Sequence, residues 1–540
     1  MSLCHDVKNE EGLLRKRTEI AVTSNDRTPC CKKDTRVFTL DDAIETLGFG
    51  KFQWLVFAIG GFSWFSIAIL VLSPTILGPK IQCEWDLHSW QVALIYSMHF
   101  TGQALFSPLW GNFADKYGRK LCILFSTMCA FYFGILSSFA PSYNWFLFLW
   151  FLVGISEGGL PHVATLYTEF LTVKMRSRCI INLSVTWSFG ILVMVGLGVL
   201  LLPIMTWKWF LFLSCLPLIV SVLICFSLPE SVYYNMVCGQ NEKALATLER
   251  ISRYNGVPLP AGTLMTSTKQ ERLGRIQDLL CEKQRRTTLL LCFIWLVNSF
   301  SYYGMVLLTT ELMKVDNSCA VPDNVDTEDS NCIRPCQFLT TKDYLNILWT
   351  TLAELPGLFI ASFTTEYLGR KPTIAFGMLF LCGSLFCLMA CLERTMITVL
   401  LFIGRAMVSG TFMGLYVYTP EVYPTAVRAM SFGTCVAFSR LGTILTPFVA
   451  QVASTRTAEA VYASLSFLAC IAVLLLPFET KGQRLKDSRM QDSHGLEMVM
   501  DSEKRPENCT PLVTQKVEFQ SSKDMLSLNS GIAAEQECSS

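Results

Sequence analysis

The sequence predicts an all-α membrane protein with twelve transmembrane helices in two pseudo-symmetric six-helix bundles. Three observations support this prediction. Of the 540 residues, 51% are hydrophobic and only 16% charged, with a mean hydropathy of +0.41, whereas a soluble domain carries about 25% charged residues. Twelve apolar segments, each long enough to span a bilayer, form two groups of six. A charged turn, GNFADKYGRK at 111–120, returns about 250 residues later as TTEYLGRK at 364–371.

These patterns divide the chain into five regions. Residues 1–51 are a polar cytoplasmic tail that ends in a short amphipathic helix, with Thr39 and Asp42 spaced as a capping box. The first bundle, 52–228, contains the segments 52–77, 90–111, 120–140, 144–168, 179–202 and 207–228. The cytoplasmic loop 229–286 contains two amphipathic stretches, NEKALATLERI and KQERLGRIQDLL, that predict surface helices.

The second bundle, 287–478, contains the segments 287–312, 344–365, 372–392, 396–419, 430–452 and 459–477. The tail 479–540 is polar, and we expect it to be disordered and cytoplasmic. Clusters of Lys and Arg fall on one side of the predicted spans, so the positive-inside rule places both termini in the cytoplasm. We therefore expect a multi-pass protein of the plasma membrane or of an intracellular vesicle.

The opposite side carries a group of four cysteines: Cys83, Cys319, Cys332 and Cys336. In an oxidising space they can form two disulfides with any of three connectivities, and free thiols in a loop are the alternative.

Composition and motifs exclude several classes of function. A net charge of +1 argues against nucleic acid as a partner. No pair of CxxC motifs, HExxH or Walker A motif is present, so neither a metal site nor a cofactor is predicted. Gly154-Ile-Ser156-Glu-Gly158 matches the nucleophile elbow of hydrolases, but it lies in an apolar helix instead of a strand-turn-helix. We do not expect an enzyme.

Acids and basic residues recur at matching positions of the two bundles. The first set is Asp115, Arg119, Lys120, Glu169, Arg176 and Glu230, and the second is Glu366, Arg370, Lys371, Glu421, Arg428 and Glu479. Such charges can pair when the two halves close and separate when they open, so we interpret them as a gate. Positive-inside anchoring alone explains the basic residues but not the acids.

These motifs resemble the major facilitator superfamily, as do YTPEVYPTAVRA at 418–429, LPES at 228–231 and FETKG at 478–482. Within it they resemble organic cation and anion transporters. GFGKFQW at 48–54, CEWDLHSWQVAL at 83–94 and SYYGMVLLTTEL at 301–312 narrow the resemblance to the branch of synaptic-vesicle-2-related proteins. The resemblance implies alternating access to a central site but no particular substrate.

Ionisable residues inside the predicted spans are candidate binding groups. Arg440 lies about 10 residues into the eleventh span, near the midplane. In the organic ion transporters, a cationic residue at the matching position goes with anionic substrates. Glu157, and Glu354 just before the helix-opening Pro356, are candidates for a proton or a cationic group. The alternative for all three is an internal salt bridge, with Arg405 as a further partner.

Other residues add weaker signals. His99 and His162 could shuttle protons, or simply pack with a hydrogen bond. Aromatic and amide side chains on spans 1, 5, 7 and 10, where the family lines its cavity, are binding candidates or packing residues: Trp64, Trp187, Asn298, Tyr302, Tyr303 and Tyr416. Two departures from the family weaken proton coupling, since the first span has no acid and Trp150 replaces the usual arginine.

We therefore expect a monomeric transporter of a small organic ion, with an anion favoured, coupled or not to a second ion. The alternative hypothesis is a membrane protein that keeps the scaffold without transport and acts as a vesicle component, receptor or binding partner.

Overall fold

The computed structural model describes residues 37–172, 175–265, 279–314, 339–390 and 392–481. The predicted amphipathic stretch KQERLGRIQDLL, at 269–280, lies almost entirely outside these residues.

A small layer formed by the N-terminal residues and the central loop packs against one end of the helix bundle. It contains β1 (Val37–Phe38), α1 (Leu40–Leu47), α9 (Val232–Val237), α10 (Asn241–Asn255) and β2 (Thr263–Leu264). Thr39 and Asp42 form the predicted capping box of α1. The strands β1 and β2 pair in parallel, which the sequence did not predict. We name the bundle end that carries this layer the loop face, and the opposite end the far face.

The first half of the bundle contains six spans in seven helices. They are α2 (Lys51–Glu84), α3 (Ser89–Tyr117), α4 (Arg119–Ser138), α5 (Tyr143–Glu157), α6 (His162–Glu169), α7 (Arg176–Leu201) and α8 (Trp207–Cys225). The fourth span is interrupted between α5 and α6, where tighter i to i−3 hydrogen bonds run from Gly158 to Val163. Pro161 explains the break, because it has no N–H to donate to the Glu157 carbonyl.

The second half repeats this plan. Its helices are α11 (Glu282–Lys314), α12 (Thr341–Leu352), α13 (Glu354–Tyr367), α14 (Arg370–Leu388), α15 (Arg394–Val422), α16 (Thr425–Gln451) and α17 (Thr455–Leu474). The eighth span is interrupted at Ala353, as expected from Pro356, which cannot donate to the Leu352 carbonyl.

The predicted fold class is confirmed. Within the described residues, eleven spans are long and apolar enough to cross a membrane, with each interrupted pair counted as one. The twelfth, α3, has 29 residues and is as long as the others but more polar. Large apolar side chains such as Leu105, Phe359 and Phe363 are exposed on the outside of the bundle, where lipid would cover them.

The predicted charged turn at 111–120 is wrong in its extent. Helix α3 continues to Tyr117, and only Gly118 separates it from α4. Its repeat is similar, since α13 runs to Tyr367 and α14 begins directly after Gly369. Charged residues can stay helical here because they lie at the end of the bundle, where their side chains reach water or partners.

Candidate functional site

Two glycines shape the repeated charge sets at the loop face. Gly118 and Gly369 have φ values of +100° and +111°, which L side chains rarely adopt. A Cβ on Gly118 would lie 2.3 Å from Oε2 of Glu230, and one on Gly369 would lie 2.9 Å from Cδ of Glu479. The missing side chain therefore lets each carboxylate approach the start of the next helix.

Glu230 and Glu479 accept hydrogen bonds at the N-termini of α4 and α14. The Arg119 N–H donates to Glu230 at 2.9 Å, and the Arg370 and Lys371 N–H groups donate to Glu479 at 2.8 Å. Such N–H groups have no partner within their own helix, and the helix dipole favours a negative charge beside them. The two acids thus tie the end of each half to the start of its third span.

The lysines of the two Gly-Arg-Lys sequences also tie the third span of each half to the end of that half. Nζ of Lys120 donates to the Phe226 carbonyl and Nζ of Lys371 to the Leu476 carbonyl, each at 2.8 Å. Both carbonyls end the last span of their half, where a cation complements the helix dipole.

The arginines of the same two Gly-Arg-Lys sequences pair with predicted gating acids of their own half. In the first half, Arg119 Nε lies 3.4 Å from Oε1 of Glu169, and an exposed Asp115 lies 3.8 Å from Arg119. In the second half, Arg370 donates from Nε and Nη2 to both oxygens of Glu421, each at 3.0 Å. We name these two arrangements the first latch (Arg119–Glu169) and the second latch (Arg370–Glu421).

The gating interpretation has these charges pair when the two halves close. In the structure, each latch joins two residues of its own half. The described ion pair that joins the halves at the loop face is Arg178–Glu366, at 3.0 Å and exposed. Arg176 instead donates to the Leu171 carbonyl at 3.3 Å, and Arg428 is half-buried in the first turn of α16. Arg178 was missed as a gate residue because it follows no repeat spacing.

A buried polar cluster joins the halves at mid-depth. Glu354 accepts from Arg405 Nη2 at 2.8 Å, from Ser188 Oγ at 3.0 Å and from the Tyr302 hydroxyl at 3.2 Å. Glu354 and Arg405 are 1% and 2% exposed. The expected internal salt bridge thus exists for Glu354, and its partner is Arg405.

Aromatic side chains of both halves surround this cluster. Trp187 Nε1 donates to the Tyr302 hydroxyl at 3.4 Å, and the Trp187 ring lies 6.1 Å from that of Trp64. Tyr302 packs edge-on against Tyr303, with ring centroids 5.1 Å apart. Tyr416 packs on Trp295 in the same way, also at 5.1 Å. The structure therefore brings all five aromatic candidates close to the centre.

Asn298 is fully buried one turn before Tyr302 on α11. Neither its Oδ1 nor its Nδ2 has a hydrogen-bond partner among the described residues. Burying an amide without hydrogen-bond partners costs free energy, and a ligand that bonds to the Asn298 amide would recover it.

Arg440 is half-buried in the middle of α16. It is close enough to Tyr303 and Tyr416 to interact electrostatically with both side chains. Within the described part of the chain, no acid lies within 4.0 Å of its side chain, so the alternative, a salt bridge with Glu157 or Glu354, is not formed.

Glu157 pairs with a histidine, not with the arginines considered as its partners. Oε2 of Glu157 lies 2.6 Å from Nε2 of His99, and both are buried. Trp150 lies beside the imidazole, with ring centroids 5.7 Å apart. His162, the other histidine candidate, is half-buried in the first turn of α6.

The hydrolase-like motif is a packing feature. Ser156 Oγ donates to the Leu152 carbonyl of its own helix at 2.8 Å. A Cβ on Gly154 would lie 2.0 Å from the His99 carbonyl oxygen, so the glycine allows α3 and α5 to touch.

Of the four candidate disulfide cysteines, Cys83 is disulfide-bonded. Cys319, Cys332 and Cys336 lie outside the described residues.

The fold and its duplicated charge sets define the class of protein. Residues 54–490 match the family model of sugar and other transporters, and the chain belongs to this family, within the major facilitator superfamily. It is therefore a member of a transporter family and a multi-pass membrane protein.

Individual relatives identify the branch of the superfamily that the chain resembles. The chain is 45% identical over 467 residues to the synaptic vesicle 2-related protein of Bos taurus, a match that covers 86% of this chain and 84% of the relative. It is 40% identical to the svop-1 protein of Caenorhabditis elegans, over 87% of this chain and 91% of that one. The resemblance to the synaptic-vesicle-2-related branch is thus confirmed.

Among solved structures, a double-tryptophan mutant of XylE, the xylose transporter from E. coli, shares the fold with a TM-score of 0.60. The match covers 80% of this chain and 97% of that one, at 17% identity.

Proposed function

We propose that this protein transports a small organic anion by alternating access, with Arg440 as the anion-binding group. The observation that carries the proposal is the unequal pairing of two central arginines. Arg405 is bound by Glu354 at 2.8 Å, whereas Arg440 has no acid within 4.0 Å among the described residues. A half-buried cation without a counter-charge favours an anionic ligand.

The surroundings of Arg440 suit the organic part of such a ligand. Tyr303 and Tyr416 offer aromatic faces and hydroxyl groups near Arg440. The amide of Asn298 is a further hydrogen-bonding group, on the stretch of α11 that contacts α16 at Gly442. Binding sites for small molecules commonly combine aromatic walls with a few polar groups. Trp64 and Trp187 would close the site from the side of the first half, where Trp187 contacts Tyr302 of the second half.

The contacts between the halves support alternating access. The halves touch at three levels. These contacts are Ser97–Ile444 towards the far face, Ser188–Glu354 at mid-depth and Arg178–Glu366 at the loop face. The two latches lie within their own halves, so each half can move as a unit while contacts between the halves break. In this proposal the loop face is cytoplasmic, and the protein works as a monomer in a vesicle or plasma membrane.

The test is uptake into proteoliposomes that contain the purified full chain. Benzenesulfonate and other small organic anions should enter, while tetraalkylammonium cations of similar size should not. Arg440→Gln should lower anion uptake at least tenfold, because a charged hydrogen bond contributes about 1.5–3 kcal/mol. Arg440→Lys should retain part of the activity, since the charge remains.

Lys243→Gln is the matched control, since it removes an exposed cation from α10. Absence of flux for every anion and cation would overturn transport and favour the scaffold without transport. Uptake of cations that is unchanged in Arg440→Gln would overturn the anion assignment.

A further inference from the structure

His99 on α3 and Glu157 at the end of α5 form a sealed titratable pair in the first half. Their side chains meet at 2.6 Å, and the residues are only 1% and 6% exposed. Nδ1 of His99 has no hydrogen-bond partner in the described part of the chain. The imidazole borders a cavity of about 10 Å³, the lower limit of the space that one water molecule needs. The pair can therefore hold a proton away from bulk water.

Few other ionisable groups among the described residues border the pair. Helix α2 presents three residues that do not titrate: Val71, Leu72 and Thr75. Helix α4, which packs on α3 and α5, buries Ser126, Thr127 and Ala130 on its inward side. Among the described residues that line the cavity, the other ionisable ones are Tyr96 of α3 itself and Tyr303 of α11. Arg440 of α16 interacts electrostatically with Tyr303.

Tyr303 links the pair to the proposed anion site. It lies close enough to both Glu157 and Arg440 to interact electrostatically with each. Its ring also packs against Phe100, the neighbour of His99, at 4.7 Å. The two sites thus share one side chain across the boundary between the halves.

Charge balance makes the two sites depend on each other. Without a proton, the pair is a carboxylate beside a neutral imidazole, with a net charge of −1. One proton makes the pair neutral overall, whichever group holds it. Arg440 contributes +1, and Glu354 and Arg405 cancel. The centre is therefore neutral either when it is empty or when it holds one proton and one monoanion.

Partial loading leaves a net charge in the centre. The proton alone gives +1, and the anion alone gives −1. An uncompensated charge inside a membrane bundle costs free energy. The partly loaded protein should therefore switch slowly between its two access conformations.

We propose that His99–Glu157 is the binding site of a coupling proton, and that one proton crosses the membrane with each organic anion. This inference rests on the proposed function, because it assigns the anion to Arg440.

Proton binding can be measured without any substrate. A charged imidazole beside Trp150 should alter the indole fluorescence. Titration of the purified full chain in nanodiscs from about pH 8 to about pH 5 should therefore show a fluorescence step. We expect His99→Gln and Trp150→Phe to abolish this step. His88→Gln, which removes an exposed imidazole from the start of the same helix, should retain it.

Coupling is measured with benzenesulfonate, which stays ionised across this pH range. An inward proton gradient of about one pH unit should let proteoliposomes accumulate benzenesulfonate up to about tenfold. This is the limit when one proton enters with each anion. Glu157→Gln keeps the pair neutral without a proton. It should lose accumulation but continue to exchange internal for external benzenesulfonate, because exchange requires only the loaded carrier to reorient.

Each failure identifies a different error. A fluorescence step that persists in His99→Gln, or wild-type uptake that ignores the pH gradient, would overturn the proton site while anion transport stands. A step that is lost in His99→Gln, with no benzenesulfonate uptake at any pH, would overturn the proposed function and the coupling but leave proton binding.

Discussion

The two halves contain the same contact made from different residues. In each half, a buried pair joins the second span to the fourth: His99–Glu157 at 2.6 Å in the first half and Glu354–Arg405 at 2.8 Å in the second. Arginine stays charged at any physiological pH, whereas imidazole titrates near neutrality. The duplicated scaffold thus has one pair with a permanent cation, the permanent pair, and one whose charge depends on a bound proton in our proposal.

The two latches also differ, in the number and length of their hydrogen bonds. The second latch has two parallel hydrogen bonds of 3.0 Å, and Thr480 adds a third contact to Glu421 at 2.6 Å. The first latch has one contact of 3.4 Å. Because bidentate pairs are stronger and more directional, the second half should be the more rigid body.

The largest expected effect tests the permanent pair. Arg405→Gln leaves the Glu354 carboxylate buried without its cation, which should cost about 3–5 kcal/mol of stability. The measurement is thermal unfolding of the purified protein in detergent.

Two further variants sharpen this comparison. His99→Gln should cost clearly less, because the glutamine amide can replace the imidazole N–H as a hydrogen-bond donor to Glu157. Arg405→Met/Glu354→Leu should recover most of the stability, since no charge is left buried. Equal unfolding temperatures for Arg405→Gln and wild type would mean that the permanent pair has no structural role.

A smaller effect should separate the latches. Glu421→Gln removes charged hydrogen bonds and should lower stability by about 1.5–3 kcal/mol, while Glu169→Gln should lower it less. Thermal unfolding of the two matched variants decides the order. A larger loss for Glu169→Gln would contradict the ranking inferred from the bond geometry.

The smallest effect belongs to the contact between the halves at the loop face. Arg178–Glu366 is exposed, and such pairs contribute about 0–1 kcal/mol, with strong screening by salt. A double-mutant cycle with Arg178→Gln and Glu366→Gln should give a coupling energy below about 1 kcal/mol that disappears at high salt. A larger, salt-insensitive coupling energy would show that this pair holds the halves together as firmly as a latch holds one half.

The spans and the repeat were predictable because their signals are local. Runs of apolar residues identify the spans, and Pro356 predicted the interruption at Ala353 because the missing N–H acts within one turn. The break between α5 and α6 was missed, although Pro161 carries the same signal. The extent of the charged turn was also wrong, because charges at a helix end do not stop the helix.

The pairing of the ionisable residues was less predictable. Sequence reasoning selected Glu157, Glu354 and Arg440 but left their partners open among the arginines. His99 was noted only as a possible proton shuttle, and its pairing with Glu157 depends on the close approach of α3 to α5 at Gly154. No spacing rule contains that distance.

The sequence by itself determined the membrane class, the two related halves and the repeated plan of the charge sets, since hydropathy and repeated motifs are properties of neighbouring residues. Only the tertiary structure decided that the latches close within each half, that Glu354 pairs with Arg405, and that Arg440 has no acid within 4.0 Å among the described residues. These outcomes depend on which helix faces pack together, and a carboxylate pairs with whichever cation the packing brings within about 3 Å.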